Sequence, residues 1–185
     1  DIFYDYHEVV RSYYNPHVEI LISKEEQDLK EVQWKTMLES IKSQNTSNTI
    51  VVPDSSGSMV TNINNGTGTA IQVAFALAIM FSQLLEGPFK DKFITFSNRP
   101  ELVELSPYST LAEKAKHIYG ISQIEDTNIE AVYDLILQAS LNIENKEEYI
   151  DRIVIISDMQ FNQGTRNSDI STFEYAKKQF AANGI

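Results

Sequence analysis

Cysteine is absent from the 185 residues. That removes disulfides, thiolate metal sites and a cysteine nucleophile, and it leans toward a reducing, intracellular and cytoplasmic setting. Positive charge is scarce as well: 15 Lys and Arg stand against 26 Asp and Glu, a formal charge of −11. Phosphate backbones are held by basic faces, so direct nucleic-acid binding by this chain is not expected. A cation or a basic protein surface suits the balance better. Long hydrophobic runs are limited to one stretch, "GTAIQVAFALAIMFSQLLEGP" at 68–88. It carries Gln72, Ser82 and Gln83, which a bilayer penalises, and it stops at Gly87-Pro88. It is therefore expected to be a helix buried against a sheet, and no membrane contact is expected. The nucleotide-binding and hydrolase signatures GxxxxGK[ST], GxSxG and HExxH do not occur.

What is present is an ordinary apolar share, 42%, enough for one buried core. Residues 1–24 are rich in Tyr without periodicity, and "EEQDLKEVQWKTMLESIKSQ" (25–44) has helical spacing of apolar side chains. "TIVVP" (49–53) and "RIVIISD" (152–158) are short β-branched runs of the kind buried on both faces of a sheet. "DKFITFS" (91–97) and "PELVEL" (100–105) are two further strands. Helices are predicted over 68–88, over 109–120 with Gly120 closing it, over 127–143 and over 171–184. Strands alternating with helices predict an α/β domain on a mainly parallel, doubly wound sheet. A helical segment at 1–45 would precede a sheet domain at 46–185. The chain opens on Asp1 and stops where a further strand is expected, so it is read as a piece of a longer protein, truncated at the C-terminus.

Two strands end in Asp, Asp54 after "TIVVP" and Asp158 after "RIVIIS". In open α/β sheets ligands collect at the carboxyl ends of strands. With the period-2 alternation of extended backbone, Asp54, Ser56 and Ser58 would project to one side, with Gly57 easing the turn. If the strands are neighbours, Asp158 stands opposite. Two carboxylates about 4 Å apart repel by roughly 1–4 kcal/mol at effective dielectrics between 80 and 20. One proton with a raised pKa would relieve this, and a divalent cation would relieve it better. All the candidate donors are oxygens, which selects a hard ion: Mg²⁺ first, then Mn²⁺ or Ca²⁺. Each residue also has a plainer role. Asp and Ser start turns, and Thr127-x-x-Glu130 is a capping box in its own right.

"DSSGS" at 54–58 resembles the D-x-S-x-S signature of von Willebrand factor A domains, where it opens the metal-ion-dependent adhesion site. The likeness covers about residues 49–185. It implies a Rossmann-like fold and two further ligands: a Thr from a later loop, matched by Thr127 in "IEDTNIEAVYDLIL", and the Asp ending the fourth strand, matched by Asp158 in "IISDMQF". Asp126 and Met159 stand where many A domains have Gly. "QWKTMLESIK", "LEGPFKDKFITFSNRPELVEL" and "DTNIEAVYDLILQA" resemble plant and large-virus proteins in which an A-type domain follows a helical region related to the Ro ribonucleoprotein (TROVE) module. That resemblance implies RNA contact through the upstream region rather than through this chain.

The function expected from these residues is a non-enzymatic, metal-dependent protein-binding module. Mg²⁺ on Asp54, Ser56, Ser58, Thr127 and Asp158 would keep a position open for a partner's acidic side chain. Two alternatives remain. One is a Mg²⁺-dependent phosphohydrolase with Asp54 as nucleophile, although Ser56 stands where such enzymes carry a second carboxylate. The other is a ribonucleoprotein scaffold with a degenerate metal site.

Overall fold

Residues 23–43, 47–63, 68–121, 128–158 and 171–185 are described by the computed structural model. The Tyr-rich residues 1–22, Asp126, Thr127 and Met159 lie outside them.

The β-branched run at Thr49–Pro53 forms β1, buried at every position, and Arg152–Ile156 forms the last strand, β6. The two pair in parallel, with Ile50 opposite Ile153 and Pro53 opposite Ile156. Lys92–Ile94 (β4) lies beside β1 on its other edge, joined by a parallel bridge between Asp54 and Phe96. Leu102–Glu104 (β5) turns back antiparallel to β4, with Phe93 opposite Val103. Two two-stranded sheets, β1 with β6 and β4 with β5, are thus linked by that single bridge. A separate small antiparallel pair, Asn62–Ile63 (β2) and Gly68–Thr69 (β3), precedes the apolar helix. The strand expected at 49–53 is found in full, and those expected at 91–97, 100–105 and 152–158 are found as shorter strands within those spans. The residues 68 and 69 assigned to a helix by their apolar context are strand instead, because they pair with Asn62 and Ile63.

Alternate residues of β1 feed two cores. Val51 packs with Phe93, Phe75 and Ile79 on one face, together with Ala115 and Ile118 of the following helix. Ile50 and Val52 pack with Ile94, Phe96, Val132 and Ile136 on the other. Burying each such side chain contributes about 1.5–3 kcal/mol. The first core lies under Ala70–Leu84 (α2) and Leu111–Ile121 (α3), and the second under Ile129–Ser140 (α4), with Phe180 of Thr172–Ala182 (α5) against it. Helices therefore cover both faces of β1, which explains why its sequence shows no polar alternation.

The polar residues of α2 are each accounted for. Gln72 accepts the Thr69 N–H through Oε1 at 2.7 Å, and Ser82 donates to the Ile79 carbonyl at 2.8 Å. Gln83 Oε1 receives Trp34 Nε1–H at 2.7 Å from Lys24–Lys42 (α1). Among the described residues no helix is long and apolar enough to cross a membrane. Helix α1 also reaches α3, where Glu31 Oε2 accepts the Leu111 N–H at 2.7 Å. Helix α3 runs through Gly120 to Ile121, so Gly120 does not close it.

Two backbone positions carry a constraint. Gly87 has φ +64°, and a Cβ there would come 3.1 Å from Glu148 Cγ and Cδ. Asp91 has φ 54° and sits where β4 begins. Its amide donates to the Ser82 carbonyl, and its carbonyl accepts from Leu105. Buried Lys114 of α3 completes this junction through the Leu105 carbonyl at 3.1 Å and Asp91 Oδ1 at 3.5 Å.

Candidate metal centre at the strand ends

The parallel pairing continues one step past β1, where the Asp54 N–H donates to the Ile156 carbonyl at 2.9 Å. This carries Asp54 to the carboxyl end of the pair, at the level of Ser157. The Asp54 side chain is 0% exposed. Its Oδ1 accepts the Ser56 N–H at 2.8 Å, and its Oδ2 accepts the Ser157 hydroxyl at 2.6 Å. Taking a carboxylate out of water costs several kcal/mol unless its lone pairs are occupied. An ionised carboxylate offers about four acceptor sites. Among the described residues the Asp54 carboxyl group uses two, so acceptor capacity remains on a fully buried group.

The two expected serines do come together, with Ser56 Oγ and Ser58 Oγ 3.1 Å apart. They do not reach this arrangement by strand alternation. Ser56 keeps an extended backbone, but Gly57–Val60 is a 3₁₀ turn, and the Met59 N–H donates to the Ser56 carbonyl. Met59 is buried under this turn in the first core. Docking of Met59 rather than a pleat thus folds the hydroxyls toward each other. Gly57 is not demanded by crowding either: a Cβ there would meet nothing within 4 Å, and its φ is not left-handed.

Asp158 follows Ser157 at the end of β6 and is exposed. The structure thus brings Asp54, Ser56, Ser58 and Ser157 into one hydrogen-bonded set and puts Asp158 one residue beyond it. Thr127 lies outside the described residues. The capping role that Thr127 has in the sequence belongs to Asn128, whose Oδ1 accepts the Ala131 N–H at 3.1 Å as α4 begins at Ile129. Glu130 follows in the first turn of α4 and is buried.

Ser157 carries no motif that marks it in the sequence. Its signal was the parallel register itself, since Pro53 opposite Ile156 sets Asp54 against the next residue. Among the described residues no three His, Cys, Asp or Glu side chains gather as a ligand set. The donors here are one buried carboxyl group and three hydroxyls, with Asp158 next in sequence after Ser157. Such a set suits a hard cation that retains several waters.

The sequence profile of a family described as Domain of unknown function (DUF7788) matches residues 48–185. The chain belongs to the DUF7788 family. The DUF7788 region begins one residue before β1 and takes in Asp54 through Asp158, leaving α1 outside it. An uncharacterized protein of Acanthamoeba polyphaga mimivirus is 35% identical over 180 residues, which is 96% of this chain and 29% of the viral protein. The chain therefore spans under a third of that relative. No solved structure matches the chain.

Proposed function

We propose that this DUF7788 chain is a non-enzymatic, divalent-metal-dependent protein-binding module built like a von Willebrand factor A domain. The observation that carries the proposal is the fully buried Asp54 carboxylate at the end of β1, fastened by Ser56 and Ser157 yet retaining acceptor capacity. The parallel β1–β6 pair, the parallel bridge from Asp54 to Phe96 and the helices on both faces of β1 support a doubly wound sheet, a fold in which ligands gather at the carboxyl ends of the strands. Asp54, Ser56 and Ser58 would hold Mg²⁺ (or Mn²⁺ or Ca²⁺) together with Thr127 and Asp158. The ion would supply a Lewis-acidic position for the carboxylate of a partner's Asp or Glu. Ser157 orients Asp54, and the 3₁₀ turn keeps the two serine hydroxyls adjacent.

Calorimetric titration of Mg²⁺ and of Mn²⁺ into wild type and Asp54→Ala tests this. Saturable heat with the wild type and none with the variant supports the proposal. Absence of heat with both proteins reduces the serine run to a turn.

A further inference from the structure

Beside the strand ends, but on the α2 and α3 face of the sheet, lies a cavity of about 500 Å³. That volume is within the roughly 300–1,000 Å³ of small-molecule sites. Phe75 of α2 and Phe93 of β4 close its inner end, each only 1% exposed, and half-buried Leu102, Val103 and Ile121 supply its accessible apolar lining. The turn between β4 and β5 adds Thr95, Ser97 and Arg99 to the lining.

The hydrogen bonds of this hairpin leave donors over. Thr95 Oγ1 accepts the Glu101 N–H at 2.9 Å, and Ser97 Oγ accepts the Arg99 N–H at 3.2 Å. Each hydroxyl thus has an acceptor position filled by backbone, and its own proton has no acceptor among the described residues. The Arg99 guanidinium makes no ion pair or hydrogen bond among the described residues, in a chain of charge −11 where acidic partners are plentiful. His117 lines the cavity from α3. Its Nδ1 is 2.8 Å from the Tyr108 hydroxyl, and burial holds its pKa below the usual imidazole value. A neutral ring accepting the phenol proton at Nδ1 carries its own on Nε2, which makes it a further donor. The one acid on the wall, Glu101, is exposed and forms no ion pair with Arg99.

We propose that this cavity binds a small amphipathic anion: an apolar body against Leu102, Val103 and Ile121, and a carboxylate or phosphate head taken by Arg99 and the hydroxyls of Thr95 and Ser97. Apolar contact holds the body, while charge-assisted hydrogen bonds fix the head. The site does not depend on the metal centre, although Ser55, between Asp54 and Ser56, forms part of its lining.

The test uses 2-naphthoate, 2-naphthyl phosphate and neutral 2-naphthamide as probes on the 185-residue chain, in EDTA, followed by amide ¹H–¹⁵N shifts. An anionic probe is expected to bind about tenfold or more tightly than the amide, shifting the Ser97 and Arg99 resonances. Arg99→Gln should remove that preference, and Glu101→Gln should increase it. Both substitutions are at exposed positions, and retained amide dispersion verifies that the variants remain folded. Tighter binding of the phosphate than of the carboxylate, or the reverse, identifies the head group, and either supports the proposal. Equal binding of amide and anions, shifts confined to other regions, or an unchanged preference in Arg99→Gln overturns it.

Discussion

Replacing Ser157 by Ala removes a contact that only the register of β1 and β6 reveals. The substitution removes the hydroxyl that donates to Asp54 Oδ2 at 2.6 Å and changes little else in volume. Asp54 is wholly buried, so its carboxylate would lose one of two hydrogen bonds with little access to replacement water. A hydrogen bond to a charged group contributes about 1.5–3 kcal/mol, which places the expected loss near ~2 kcal/mol. With a urea m-value of about 1–3 kcal/mol/M, the unfolding midpoint should fall by roughly 1 M. The same substitution in an Asp54→Asn background should cost under about 1 kcal/mol, because a neutral amide is cheaper to leave partly unpaired. Urea unfolding of the four proteins in EDTA supplies the cycle. Equal losses in both backgrounds would refute the view that Ser157 holds a buried charge.

Three further outcomes are expected. Burial lowers the His117 pKa from 6.5, so the unfolded chain binds its proton more readily than the folded one. The contribution of the neutral ring is therefore complete above pH 6.5 and is lost as pH falls toward the folded-state pKa. His117→Gln should flatten the decline in urea midpoint below pH 6.5, and an unchanged decline would contradict the assignment. Gly87→Ala, at φ +64° and against Glu148, should lose about 1–2 kcal/mol or more, whereas Gly57→Ala should remain within ~0.5 kcal/mol. Thermal melts of both variants separate a glycine required by backbone from one that is not. Trp34→Phe deletes the bond to Gln83 and should cost on the order of 1 kcal/mol, read as earlier amide exchange in α1 if that bond fastens the helix.

Elements whose residues obey one local rule were legible in the sequence. "TIVVP" is β1 to the residue, because continuous β-branched burial leaves few alternatives. The central helix survived its membrane-like composition because Gln72, Ser82 and Gln83 mark a helix with polar partners. Features set by contacts between distant segments were less legible. The turn at Gly57–Val60 depends on Met59 finding the core under α2, and a period-2 extrapolation misses it. Asn128 caps α4 although Thr127 and Glu130 present a better capping spacing, because local spacing does not decide where a docked helix starts. Ser157 became visible only when β1 and β6 were set in register. The reversal of β5 against β4 follows from a short hairpin whose Thr95 and Glu101 backbones bond across it, a pairing that the strand composition does not encode.

The central claim is the proposed one, that the buried Asp54 carboxyl group is a ligand for a divalent ion. Its most direct measurement is the urea midpoint of wild type and Asp54→Asn, each in saturating Mg²⁺ and in EDTA. An ion at about 100 times its dissociation constant stabilises the folded state by ~2.7 kcal/mol. Wild type should therefore gain on the order of 2 kcal/mol in Mg²⁺. Asp54→Asn should gain nothing and should be no less stable than wild type in EDTA, because it no longer buries a charge. Identical wild-type midpoints in Mg²⁺ and EDTA, or an equal gain in Asp54→Asn, would contradict the claim.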